Sequence, residues 1–182
     1  MKTRDLIIIA LFTALTAVGA FIKIPIPPVP ITLQLAFVVY AGIFLGGRRA
    51  MMSQLLYLMI GLIGIPIFAN GGGITYVFQP TFGYLIGFLL CATIVGYGVE
   101  RLNRVTFTGV LAWSLLGLAL VYLVGVFYLY GIVNLYFGSP MTLLGALKAG
   151  FIPFVIKDLA VLVIVAWTAV RVVPRVRTFI EN

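Results

Sequence analysis

The sequence predicts an all-α integral membrane protein, a single domain of six transmembrane helices over residues 1–182, and three observations carry that reading. First, 63% of the residues are apolar and 9% charged, where a water-soluble domain carries roughly 25% charged residues. With a mean hydropathy of +1.23, this excludes a soluble globule, a disordered chain and a nucleic-acid binder of the basic-patch kind. Second, Leu6–Ile22, Ile24–Gly47, Ala50–Val99, Val105–Leu147 and Ala149–Ile156 contain no Asp, Glu, Lys or Arg. A span needs about 20 such residues, so the 50-residue run holds two. Third, these runs are too long and unbroken for the period-two pattern of a membrane β-barrel.

The helices are expected over 5–22, 31–47, 49–64, 80–99, 107–132 and 151–173. Lys2 and Arg4 followed by an apolar stretch ending in Val18, Gly19 and Ala20 imitate a secretory signal; the segment is expected to be retained as the first span. Pro25, Pro27, Pro28 and Pro30 separate the first two helices. Pro66 with Gly71, Gly72 and Gly73 breaks the chain before the fourth, and Gly138, Pro140 and Gly150 break it before the sixth.

Orientation follows from the cations. With both termini on one side, that side holds Lys2, Arg4, Arg48, Arg49, Arg101, Arg104, Arg171, Arg175 and Arg177, and the other holds Lys23 and Lys148, with Lys157 some way into the last helix. Positive charge collects in cytoplasmic loops, so both termini are expected in the cytoplasm of a multi-pass cell-membrane protein. The Pro-rich, Gly-rich and fifth loops then face outward.

Polar chemistry is scarce enough to be informative. The chain has no His and one Cys, Cys91, so internal disulfides and His or Cys metal sites are excluded and no cofactor is expected. Lys157 and Asp158 are expected inside the hydrocarbon, where either residue type costs about 2.5–3.5 kcal/mol at mid-helix on insertion scales. From a helix start near Phe151 they lie roughly 9 Å below its outer end. They either line a polar ligand cavity or neutralise one another as a helix-holding pair; a snorkelling lysine is the third option.

The loop from Ile65 to Pro80, IPIFANGGGITYVFQP, carries no charge, with Asn70, Thr75, Tyr76 and Gln79 spread among apolar side chains. Non-helical backbone at membrane depth is tolerated where it lines a cavity, so this long apolar Gly-rich loop between helices 3 and 4 is expected to cover an outward-facing site. Asn70, Gln79, Thr81, Tyr84, Lys157 and Asp158 all map to that side. Tyr76 in the loop joins the candidates, as does Gln34 near the outer end of the second helix; Gln34 and Tyr84 are equally readable as interhelix bonds or interfacial anchors. Tyr122, Tyr128 and Tyr130 are expected to pack rather than bind. Polar groups converging in an apolar surround describe a small-molecule site, for a small, partly apolar ligand rich in amide-like groups.

No GxxxxGK[ST] nucleotide loop is present, and no matched halves with broken helices, as secondary transporters use, are evident. One site without a motor suggests a capture subunit driven by another polypeptide. A second reading is an intramembrane enzyme or lipid-binding protein using Lys157 and Asp158 as acid and base. No Ser motif, Cys pair or paired carboxylates accompany them.

PVPITLQ at Pro28–Gln34, GLIGIPIFANGGG at Gly61–Gly73, QPTFGYLIGF at Gln79–Phe88 and IPF followed by an aspartate at Ile152–Asp158 resemble the BioY family. Its members are the biotin-specific capture components of energy-coupling-factor transporters. The resemblance covers nearly the whole chain, and PVPITLQ together with PTFGYLIGF is specific. It implies a six-helix fold that captures biotin from outside, with or without a transmembrane coupling protein and two cytoplasmic ATPases. The family pattern places a lysine three residues after the aspartate; here that position is Val161, and Lys157 precedes Asp158. The resemblance therefore extends to the role of Asp158 and not to that of Lys157.

Biotin suits the residue-level site. Its ureido N–H groups match Asp158 and Asn70 as acceptors, and its carboxylate matches Lys157, unless that lysine pairs with Asp158 or a backbone carbonyl. On the first helix, Ala10, Ala14 and Ala17 form a small-residue stripe that lets another helix approach. The stripe serves packing within the bundle or, as the resemblance implies, docking to the coupling protein.

Overall fold

Seven α-helices and one short antiparallel ladder make up the regular structure of residues 2–181, the part described by this computed structural model, with side chains described through Val173. In chain order these are α1 (Thr3–Phe21), β1 (Lys23–Ile24), β2 (Ile31–Thr32), α2 (Gln34–Leu45), α3 (Gly47–Ile63), α4 (Phe82–Glu100), α5 (Phe107–Leu135), α6 (Leu143–Gly150) and α7 (Ile152–Glu181). A 3₁₀ turn spans Ile74–Phe78. Among the described residues, α1, α4, α5 and α7 are long and apolar enough to cross a membrane.

Two boundaries differ from expectation for physical reasons. The second helix begins at Gln34, because Ile31 and Thr32 are spent pairing with Ile24 and Lys23 in the hairpin. Its 12 residues rise about 18 Å, short of a roughly 30 Å hydrocarbon core. α2 can be short because it is enclosed: it packs against α1, α3, α4 and α7, and Leu35, Val38, Val39, Ala41, Ile43 and Leu45 are all buried. The fifth connection contains a helix that was not expected, α6, whose Thr142 hydroxyl caps it by accepting from the Gly145 N–H at 3.0 Å. Asn134 braces the same connection, donating to the Met141 carbonyl and accepting from its N–H, both at 3.0 Å.

The most extensive helix pair is α4 with α5, and small residues allow its close approach. A Cβ on Gly125 would lie 2.4 Å from the Tyr84 ring, so only glycine leaves room for that tyrosine between the helices. At the far end of the bundle the charges are tied down. Asp5 pairs with Arg49 at 3.1 Å, and the Glu100 carboxylate rests on Gly46, where the φ of +77° favours glycine and a Cβ would lie 1.8 Å from its Oε1. Negative charge at the start of α3 complements that helix's positive end. The side chains of Arg175 and Arg177, two of the nine cations used to orient the chain, lie outside the described residues.

The alanine stripe divides. Ala10 and Ala14 are exposed among Leu6, Ile7 and Leu11, whereas Ala17 is buried inside the bundle.

Candidate functional site

The start of α2, the start of α4, the first two turns of α7 and the middle of α5 meet around a cavity enclosing about 530 Å³ of empty space, its mouth included. Val29 and Pro30 from the hairpin and Ala69 and Tyr76 from the glycine-rich loop close one end. The loop reaches the cavity because Phe68 is driven into the core: it is 1% exposed and packs edge-on against Tyr57 and obliquely against Tyr76. The Gly73 N–H donates to the Gly61 carbonyl at 2.7 Å, holding the loop on the end of α3.

Apolar walls come from Leu35, Leu85, Phe88, Val121 and Phe154, and the polar groups converge from six segments: the hairpin, α2, the glycine-rich loop, the start of α4, α5 and α7. Asp158 is 6% exposed. Its Oδ2 accepts the Tyr122 hydroxyl at 2.5 Å. Its Oδ1 lies 2.5 Å from Lys157 Nζ, at ion-pair distance but outside hydrogen-bond geometry, and accepts no hydrogen bond. Lys157 Nζ also donates to the Thr32 carbonyl at 2.7 Å. The lysine thus pairs with both Asp158 and a backbone carbonyl, which fixes it as the local counter-charge of the buried carboxylate and binds α7 to the hairpin.

Gln34 donates to Tyr57 at 3.0 Å and accepts from Thr32 at 3.2 Å. Tyr57 in turn donates to the Ile67 carbonyl at 2.9 Å, so one chain of bonds runs from the hairpin through α2 and α3 to the loop. Thr81 donates to the Tyr76 hydroxyl at 2.9 Å. Burial pushes the Tyr76 phenol above its ordinary pKa, so it stays neutral. Tyr84 donates to the Gly150 carbonyl at 2.9 Å, tying α4 to the end of α6.

Of the residues singled out from sequence, Gln34, Tyr76, Tyr84, Lys157 and Asp158 line the cavity, as does Thr81. Asn70 and Gln79 are exposed and lie outside its wall. Asn70 sits at the tip of a tight turn in which Phe68 and Gly71 exchange backbone hydrogen bonds, so Phe68 and Ala69 go inward and Asn70 outward. Gln79 follows the 3₁₀ turn in extended backbone and is exposed there.

Tyr122 was expected to pack, and the structure gives it the closest hydrogen bond to Asp158. A signal for it existed. Gly117, Val121 and Gly125 repeat every four residues along α5, and Leu118 and Tyr122 share that face. A glycine-lined face is one that packs closely, and a buried tyrosine needs a partner for its hydroxyl.

A helical membrane protein with a buried carboxylate in a largely apolar cavity, ringed by a few converging polar groups, has the build of a membrane protein that holds a small molecule. Residues 1–178 match the BioY family, and the chain belongs to that family. It is 46% identical over 170 residues to a probable biotin transporter BioY of Lysinibacillus sphaericus, covering 93% of this chain and 87% of the relative. It is 40% identical over 169 residues to the biotin transporter BioY of Thermotoga maritima, covering 92% and 95% respectively. Its structure is similar to the crystal structure of the S-component for biotin from an ECF-type ABC transporter, with a TM-score of 0.81, 27% identity and 94% of both chains covered. This chain is accordingly a multi-pass membrane transport protein and not an enzyme.

Proposed function

We propose that this chain captures biotin from the outer side of the cell membrane and serves as the substrate-specific subunit of an energy-coupling-factor transporter. The observation that carries the reading is the Asp158 carboxylate on the cavity wall: buried, oriented by a hydrogen bond from Tyr122 to Oδ2 and charge-balanced by Lys157 at Oδ1. A ureido ring presents two N–H donors, and charge-assisted hydrogen bonds to a carboxylate are the strong kind. The ring's apolar face packs on Phe88, Leu85 and Phe154. Family membership and the similarity to biotin transporters support the choice of ligand.

In this reading six helices span the membrane, with α2 enclosed by its neighbours, α6 lying at the outer end and both termini in the cytoplasm. The support is the charge distribution: Arg48 and Arg49 lie in the first turn of α3 and Arg101 and Arg104 just beyond the end of α4, opposite the cavity. The partners are a transmembrane coupling protein and two cytoplasmic ATPases, which supply the energy that this chain lacks a nucleotide loop to harvest.

Isothermal titration of the purified protein tests the proposal. Wild-type protein binds one biotin tightly and releases it unchanged. Asp158→Asn keeps the shape and loses a charge-assisted acceptor worth about 1.5–3 kcal/mol, so affinity falls roughly tenfold to a hundredfold. Absence of biotin binding by the wild type defeats the reading, and undiminished affinity in folded Asp158→Asn removes Asp158 from the site.

A further inference from the structure

The polar path does not stop at Lys157. Thr32 and Lys157 line a second, more open groove together with Ile22, Ile24, Ile31 and Lys23. The groove and the cavity share Thr32 and Lys157, so they are adjoining chambers. Lys23 stands opposite Thr32 in the β1–β2 register. Its Nζ donates to the carbonyl of Ala69, a residue of the cavity wall. Lys157 arrives at the same junction from α7 through its bond to the Thr32 carbonyl.

Charge and donor arithmetic then point to a ligand. Two ammonium groups meet one carboxylate, and Asp158 is the acidic residue among those lining the two chambers, so the junction keeps one net positive charge. An ammonium has three N–H donors and accepts nothing. The Ala69 carbonyl takes one from Lys23 and the Thr32 carbonyl takes one from Lys157, whose ammonium also stands at ion-pair distance from Asp158. Donors are left on both lysines, beside an aliphatic wall, where an anion carried on a short hydrocarbon tail would be bound at both parts.

We infer that this groove is the anion-binding end of the ligand site, with Lys23 as a second carboxylate-binding residue beside Lys157. The inference rests on the biotin-capture reading and deepens it. The ring occupies the inner chamber against Asp158, the tail methylenes lie on Ile22, Ile24 and Ile31, and the carboxylate sits between the two ammonium groups. The protein therefore selects ligands with an anionic terminus.

The test is titration of wild-type, Lys23→Met and Lys23→Arg protein with biotin and with biotin amide at low salt. Wild type prefers biotin to the amide by about tenfold, or ~1.4 kcal/mol. Because Lys23 is exposed, Lys23→Met weakens biotin by only about fivefold and leaves the amide within about twofold. Lys23→Arg retains both the charge and biotin affinity. Equal affinity of the wild type for the two ligands overturns the inference, as does undiminished biotin binding by Lys23→Met. Equal losses for both ligands in Lys23→Met also overturn it, showing that Lys23 only ties the hairpin to the loop. A wild type that binds neither ligand defeats the capture reading itself and this inference with it.

Discussion

A buried carboxylate survives in an apolar bundle only if its charge is balanced and its lone pairs are used, and Asp158 meets the first condition fully and the second by half. Its two supports differ in kind. Tyr122 orients the carboxylate with one hydrogen bond, so Tyr122→Phe leaves the ring packed on Phe151 and removes only that bond. Biotin affinity is expected to fall about tenfold, ~1.4 kcal/mol, with cavity shape retained; titration beside a melting curve measures both effects. Lys157 supplies the counter-charge, and removing one partner of a fully buried pair costs about 3–5 kcal/mol. Its side chain is 31% exposed, so solvent screening reduces the loss below that range. Lys157→Met is expected to lower the melting temperature more than Lys157→Arg and to weaken both biotin and biotin amide, biotin the more, whereas Lys23→Met affects biotin selectively. Unchanged melting in Lys157→Met would mean that Asp158 does not depend on this pair.

At the scale of elements, α1 has two faces that a stripe of alanines alone does not distinguish. Asp5, Ile9, Thr13, Thr16, Ala17 and Ala20 face the bundle, and Thr13 donates to the Ser53 carbonyl at 3.0 Å to lock α1 on α3. Ala10 and Ala14 remain on the outer face, where their small size lets a partner helix come close. Ala17→Trp is expected to overpack the core, a kind of change that costs about 1–3 kcal/mol or more, and to reduce folded yield. Ala14→Trp is expected to fold and to bind biotin within a few-fold of wild type while ATP-dependent uptake is lost in cells supplying the coupling module. Normal uptake in Ala14→Trp would place the docking surface elsewhere.

For the whole molecule, the bundle has a charged end and a site end. Asp5, Arg48, Arg49 and Glu100 gather at one, and the hairpin, glycine-rich loop and α6 gather at the other. The native Cys91 is buried and provides a silent background for labelling. Single cysteines introduced beside Arg48 and Arg101 should react with an impermeant maleimide only from the cytoplasm, and one at Gly72 only from outside. Reversed labelling would invert the topology and place the cavity on the wrong face for capture.

The sequence by itself determined the solvent, the all-helical class and the approximate course of the longer helices, though not α6 or the start of α2, and it singled out candidate polar residues. Long uncharged runs and the high cost of an intramembrane charge are local facts, readable wherever they occur, and so Lys157, Asp158 and the loop from Ile65 to Pro80 stood out without coordinates. The tertiary structure decided which polar side chains turn inward. One tight turn sends Phe68 and Ala69 into the protein and Asn70 out of it. The rotation of α5 against α4, set by close packing at Gly125, brings Tyr122 to Asp158. The hairpin places the Thr32 carbonyl where Lys157 can reach it, 125 positions away in the chain. These directions depend on how separate segments rotate and pack against one another, and side-chain orientation at such junctions is a property of the assembled bundle rather than of any segment's composition.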